Sequence, residues 1–282
     1  MYGWLVFSVL AASFYSILLH NYPGNEKFNI FKLNFFASIV WVFILFIFNQ
    51  CKIYLNKEII LWGVTYGVTQ ALFVLFKAKA MNAGSVSVTT LVGNASLVVS
   101  IIFSSIMWNE KISWLDICGV ILLIAGMFLS IYKKSTANVD KRWKYYVCVF
   151  FLLAAAVGII FKGFGKSAVS DHTGDMLLVS AAVMTFFYFC TICFTKDKTI
   201  PFSKKKFLVF ALAAGILSCL YNRLNITLSS SMDAVIFFPA FNGGVVIVSG
   251  VLSSLIYKEK FSKRQLVGFG LALFAIFIIG VY

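Results

Sequence analysis

Charge is scarce in this chain, and negative charge scarcest. Ten Asp and Glu stand against 24 Lys and Arg in 282 residues, and only 12% of positions are charged. A soluble domain carries roughly twice that fraction, and with a mean hydropathy of +0.94 a soluble globule is excluded. Proline occurs three times, which leaves long helices uninterrupted. There are only two histidines, His20 and His172. Neither is placed for a Ser–His constellation, no HExxH occurs, and no Asp pair sits in the middle of an apolar run. An intramembrane enzyme therefore has no catalytic constellation to use. Nucleotide-binding and metal motifs are likewise missing, so no cofactor and no metal is expected. Six cysteines fall mostly within apolar runs. Cys190 and Cys193 have CxxC spacing but no His or acidic companions, and they read as small packing residues rather than redox or metal groups.

What the chain has instead is apolar length: 61% hydrophobic residues, 31 of them Phe. Polar punctuation divides it into ten runs, each near the 20 residues or so that cross a hydrocarbon core. They are Tyr2–Leu19, Phe31–Asn49, Ile59–Lys77, Ser85–Trp108, Trp114–Tyr132, Tyr145–Phe164, Met176–Phe194, Phe207–Leu228, Ala234–Tyr257 and Gln265–Tyr282. The first lacks a basic leader and reads as a membrane helix rather than a removed signal. The net charge of +14 sits between the runs, not on one amphipathic face. It anchors anionic head groups and sets topology; nucleic acid is not an expected partner.

The chain also repeats itself. Sliding Ser100–Ser113 by 149 positions onto Ser249–Ser262 matches Ser100, Ser104, Ser105, Glu110, Lys111 and Ser113 with Ser249, Ser253, Ser254, Glu259, Lys260 and Ser262. Gly119 then meets Gly268, and Leu10-Ala11-Ala12 resembles Leu153-Ala154-Ala155. The division falls in a basic linker, 133–144, giving five spans in 1–132 and five in 145–282. An odd number of spans per repeat makes the second copy enter from the opposite side. The expected fold is therefore an all-α membrane protein of ten transmembrane helices, two inverted five-helix repeats around a central cavity, with the site near mid-membrane between them.

In each copy, a Gly- and Ser-rich span, a Glu-containing turn and a Gly-containing span follow in order (Gly84–Tyr132 and Asp233–Tyr282). This pattern resembles the EamA-type transporters of the drug/metabolite transporter superfamily over essentially the whole chain. The resemblance implies a cavity lined by spans 1–4 and 6–9, with spans 5 and 10 peripheral. It also implies ATP-independent movement of small organic metabolites, often export, and a bacterial plasma membrane. Family members usually keep both termini in the cytoplasm. Here Lys133, Lys134, Lys141, Arg142, Lys144, Lys196, Lys198, Lys204, Lys205, Lys206, Lys258, Lys260, Lys263 and Arg264 all crowd the side opposite the termini. The positive-inside rule makes that side cytoplasmic.

Candidate site residues follow from polarity in the runs, since a polar side chain in lipid faces the bundle interior or a wet cavity. Tyr66, Gln70, Phe73 and Lys77 recur at spacings of four, three and four on one helical face. Lys77 either meets a substrate anion or snorkels to the interface. The repeat carries Tyr66, Gln70, Phe73 and Val74 onto Gly215, Cys219, Asn222 and Arg223. Asn222 and Arg223 are thus the counterpart candidates; the alternative for Arg223 is a pair with Asp233. Lys77 and Arg223 would then each draw an anion, a carboxylate or phosphate, at opposite mouths. Gly93-Asn94 and Asn242-Gly243-Gly244, with Pro239 one turn earlier, mark matched places where irregular backbone or close approach is expected. Tyr15 and Tyr221 are candidates for stacking on a planar substrate, as are Trp41 and Tyr188 among the abundant aromatics.

Ser96, Ser100 and Ser104, like Gly119 and Gly268, read as close-packing positions. Glu110 and Glu259 cap or orient their turns, which leaves no identified proton-coupling acid. Facilitated diffusion, exchange and coupling through substrate protonation stay open. Lys162, Lys166 and His20 lie at helix ends, where anchoring is the default, and lining the path is the alternative for Lys162. The leading function is a secondary transporter of a small organic metabolite by alternating access. A flippase for a lipid-linked head group and a non-catalytic membrane assembly subunit are the alternatives. A channel would need a continuous polar stripe that the runs lack. Expected partners are the substrate and membrane lipids; a monomer suffices for the pathway, with a dimer also open.

Overall fold

The computed structural model describes residues 1–20, 30–131, 140–195, 204–257 and 261–281. Lys133, Lys134, Lys196, Lys198, Lys258, Glu259 and Lys260 lie outside the described residues, as do the side chains of His20, Lys204, Lys205 and Lys206. All regular structure within them is helical. The helices are α1 (Tyr2–His20), α2 (Ile30–Phe48), α3 (Lys57–Ala83), α4 (Val86–Ala95), α5 (Leu97–Trp108), α6 (Trp114–Ile131), α7 (Trp143–Gly165), α8 (Thr173–Thr195), α9 (Lys204–Ser231), α10 (Ala234–Tyr257) and α11 (Lys263–Val281), with one 3-10 turn at Ser170–His172. α4 and α5 are two halves of one span. Among the described residues nine spans are long and apolar enough to cross a membrane, and α11 follows them as the last helix of the bundle. The chain is a multi-pass membrane protein.

Local chemistry sets the boundaries. Asn56 caps α3 by accepting the Ile59 N–H at 2.7 Å, and Glu58 in the first turn suits the positive helix end. α6 opens with a reciprocal capping box: Ser113 N–H donates to the Asp116 carboxylate at 2.8 Å, and Asp116 N–H donates to the Ser113 hydroxyl at 3.1 Å. α11 opens in the same way, with Ser262 N–H donating to Gln265 Oε1 at 3.0 Å and Gln265 N–H to the Ser262 hydroxyl at 3.2 Å. Asp116 and Gln265 are themselves 149 positions apart, so the repeated turn repeats its hydrogen bonds.

The helices pack in pairs that exchange between halves. α3 packs on α8 as α2 does on α9; α3 packs on α7 as α1 does on α9; α4 and α5 pack on α7 as α10 does on α1. α6 and α11 pack chiefly on each other, through glycine. A Cβ on Gly126 would meet the Gly268 carbonyl oxygen at 2.7 Å, and one on Gly119 would meet the Ile279 side chain at 2.5 Å. Close approach of small residues replaces the hydrophobic effect as the driving force between helices in lipid. Large apolar side chains such as Phe186 and Phe277 point outward, where lipid would meet them.

Cross-links define the two faces of the bundle. On the face carrying the start of α1, the terminal face, Asn49 after α2 donates to Asp175 of α8 at 3.0 Å. The Tyr54 N–H donates to the same carboxylate oxygen at 3.2 Å, while its ring stacks on His172 at 4.4 Å. On the opposite, basic face, which exposes Lys141, Arg142, Lys144, Lys263 and Arg264, Asp140 N–H donates to the Ala83 carbonyl at 2.9 Å. Trp143 Nε1 donates there to Thr89 at 3.1 Å.

Candidate functional site

A cavity of about 210 Å³ lies between the halves of the chain. Its walls come from α3 (Gln70, Phe73, Lys77), the α4–α5 junction (Thr90, Gly93, Asn94, Ser96, Leu97, Ser100), α7 (Phe150, Ala154, Val157, Gly158, Phe161), α9 (Tyr221, Asn222, Asn225) and α10 (Phe237, Phe238, Phe241, Asn242). These are spans three, four, six, eight and nine. Spans one, two and seven, which the family resemblance placed in the lining, contribute no lining residue among those described. They act from behind: Ser8 of α1 donates to Asn225 Oδ1 at 2.7 Å, and Trp41 Nε1 of α2 donates to the Ser218 hydroxyl at 2.8 Å.

Of the candidates, Gln70, Lys77, Asn94, Tyr221, Asn222 and Asn242 line the cavity. Lys77 is not at a helix end as the apolar run suggested, because α3 continues for six residues to Ala83. That places it roughly 9 Å inside the helix, with its ammonium 5.8 Å from the centre of the Phe73 ring. Among the described residues it has no carboxylate partner. Tyr66 lies one turn beyond Gln70, about three turns from Lys77, and is fully buried. Its hydroxyl donates to Asn222 Oδ1 at 2.8 Å, and Asn222 Nδ2 donates to the Ser218 carbonyl at 2.8 Å. Tyr66 is therefore a positioning residue rather than a lining one. Tyr66→Phe strips a buried acceptor of its donor and is expected to cost about 1–3 kcal/mol, read as a lowered unfolding midpoint.

Tyr15 also stands behind the wall, 5.8 Å from the Tyr221 ring. Trp41 and Tyr188 are buried away from the cavity in the packing between α2, α3 and α8. Arg223 is a correction. Asn222 and Asn225 turn inward, and one residue further along α9 is about 100° around the helix. The Arg223 guanidinium rests 5.5 Å from the Phe48 ring at the end of α2, and no ion pair joins it to Asp233 among the described residues. It supplies no cation to the cavity.

The matched glycine positions differ in the two halves. Span four breaks at Ser96, whose N–H reaches back three residues to the Gly93 carbonyl at 3.2 Å and whose hydroxyl donates to the same oxygen at 2.6 Å. α10 runs unbroken through Pro239. Asn242 Nδ2 donates to the Phe238 carbonyl at 2.8 Å, and Gly243 lets the Leu123 and Ile276 side chains close in. Ser100 donates to the Ala155 carbonyl at 3.1 Å beside Gly158, so the serine face joins α5 to α7 as expected while also bordering the cavity.

Sequence reasoning missed the cavity floor. Lys162, expected as a terminal anchor, is fully buried and ion-pairs with Glu110; its ammonium also donates to the Met232 carbonyl at 2.5 Å. Glu110 caps not its own turn but α10, accepting the Ala234 N–H at 2.8 Å. One pair thus ties the ends of α5, α7 and α9 and the start of α10 together on the terminal face. Above it Leu97, Ile101, Leu228, Val235, Phe237 and Phe238 form a buried apolar layer. At the other end Gln70, Lys77, Thr90 and Asn94 are partly exposed toward the basic face.

Residues 1–132 match the EamA-like transporter family. No curated protein matches the sequence. A solved crystal structure shares the fold with a TM-score of 0.75 at 13% identity, over 98% of this chain and 95% of the other. At that identity the likeness speaks to the fold alone.

Proposed function

We propose, from the match of residues 1–132 to the EamA-like transporter family, that the whole chain is a secondary transporter. It moves a small organic metabolite carrying a carboxylate or phosphate by alternating access. The observation that carries this reading is the cavity between the halves. It holds one cation, Lys77, without a carboxylate partner among the described residues, is partly exposed toward the basic face, and is floored by an apolar layer and the Glu110–Lys162 pair on the terminal face.

The exchange of packing partners between halves supports an inverted repeat of 1–132 and 145–282, in which rocking would open the terminal side. The positive-inside rule makes the basic face cytoplasmic, so this arrangement corresponds to an inward-facing state in a bacterial plasma membrane. Both halves of one chain build the cavity, which supports a monomer as the working unit.

Counterflow in proteoliposomes tests the reading. Purified protein loaded with excess unlabelled organic anion should transiently accumulate the labelled anion from outside, which a channel cannot produce. Lys77→Gln is expected to lower that flux tenfold or more. Absence of counterflow across carboxylates, phosphates, amines and neutral metabolites would remove the transporter assignment.

A further inference from the structure

We infer that the cavity selects an amphipathic organic monoanion: a single carboxylate held at Lys77, a flat apolar body against the Phe241 face, and no ammonium group. This deepens the transporter reading and rests on the same cavity.

The two ends of the cavity differ in chemistry. At the basic-face end the side chains of Lys77, Gln70 and Asn94 make no hydrogen bond or ion pair with any described residue, so their donors are free for a ligand. The hydroxyls nearby are committed elsewhere: Thr90 donates to the Val86 carbonyl at 2.9 Å, and Ser96 and Ser100 donate to backbone carbonyls. The anion-binding capacity of this end of the cavity is thus one ammonium together with two primary amides of the same lining. At the other end, Tyr221, Phe241 and Phe237 present rings at small mutual angles. Phe241 is tilted 30° from Tyr221 at 6.4 Å and 12° from Phe237 at 6.0 Å. Near-parallel rings in series line that end of the cavity with aromatic surface, which favours a planar body over a branched one.

The charge count then narrows the head group. Lys77 is the one cationic residue among the lining residues, and none of them is acidic. A monoanion is neutralised by it. A phosphate dianion would leave one uncompensated charge in a largely apolar enclosure, which is costly. An amine would face Lys77 with no carboxylate to pair with, and an amino acid would carry that same unpaired ammonium. Asn225 adds a neutral contact: its Oδ1 is taken by Ser8, which leaves the amide nitrogen for donation.

Binding to the full chain in neutral phosphatidylcholine nanodiscs tests this with matched probes: 3-phenylpropanoate, its primary amide, 3-phenylpropylamine, phenylalanine, phenyl phosphate and butanoate. The expected order places 3-phenylpropanoate tightest, at least tenfold ahead of each of the others. Lys77→Gln should erase the preference for the acid over its amide, lowering acid binding tenfold or more and amide binding far less. Phe241→Leu, which keeps bulk but removes the ring, should weaken 3-phenylpropanoate several-fold and butanoate little. Tighter binding of the amine, the zwitterion or the phosphate overturns the inference, as does acid preference surviving in Lys77→Gln, or no binding of the acid by folded protein. Flux separates the two readings. Binding as described without counterflow would retain the ligand class and refute transport, whereas counterflow of amines or neutral compounds alone would do the reverse.

Discussion

Lys162→Met is expected to cost about 3–5 kcal/mol of stability, the largest effect of any single charge removal among the described residues. Lys162 is fully buried, and its ammonium is shared between Glu110 and the Met232 carbonyl. Removing it leaves the Glu110 carboxylate with the Ala234 N–H in apolar surroundings. Desolvation that the pair offsets is then uncompensated. The double variant Glu110→Gln with Lys162→Met removes both charges, and the glutamine side-chain oxygen can still accept from Ala234. It should recover most of the loss, to within about 1–2 kcal/mol of the parent, because a well-packed neutral pair is often as stable as a buried ionic one. Unfolding midpoints of parent, both singles and the double close a mutant cycle. Equal losses in single and double variants would show that the side-chain volume of Lys162, not its charge, holds the terminal face.

Gly126→Val carries the second large effect, an expected loss of about 1–3 kcal/mol from overpacking. Its Cβ would sit 2.7 Å from the Gly268 carbonyl oxygen and 2.8 Å from the Ala272 nitrogen. Both are backbone atoms, so no rotamer change relieves the clash and α11 must move away from α6. Neither helix contributes a lining residue. The prediction is therefore a lowered unfolding midpoint with ligand affinity kept in the folded fraction, whereas Lys77→Gln should do the opposite. A Gly126→Val protein as stable as the parent would mean that α6 and α11 are not held by this contact.

The bundle itself was legible in the sequence, because hydrocarbon thickness fixes run length. Ala234–Tyr257 was delimited residue for residue. α3 was not: Ala78 to Ala83 contain a second lysine, Lys79, and an asparagine, and hydropathy ended the run while the backbone stayed helical. The face of Gln70, Phe73 and Lys77 was readable because helical periodicity is local. Arg223 was misplaced because an offset between repeats fixes sequence register but not side-chain direction, and one residue is about 100° of rotation. The partnership of Glu110 with Lys162 was beyond reach for a different reason. It joins three helix ends and the start of a fourth, far apart in sequence, and nothing short of the packed bundle brings them together. The capping boxes did leave a trace. Ser113 with Asp116, and Ser262 with Gln265, carry the spacing of a helix start, and reading them would have explained why the serine of the repeated turn is duplicated.

The glycine seam between α6 and α11 also has a consequence for biosynthesis. α6 is made and inserted while four further spans have still to leave the ribosome before α11 follows. Through that interval Gly119 and Gly126 offer a backbone groove to lipid with nothing seated in it. The first five spans thus cannot complete their own packing. They wait, with one side open, for the last helix to arrive, and a chain halted before it leaves an unmatched groove in the bilayer that would mark it as unfinished.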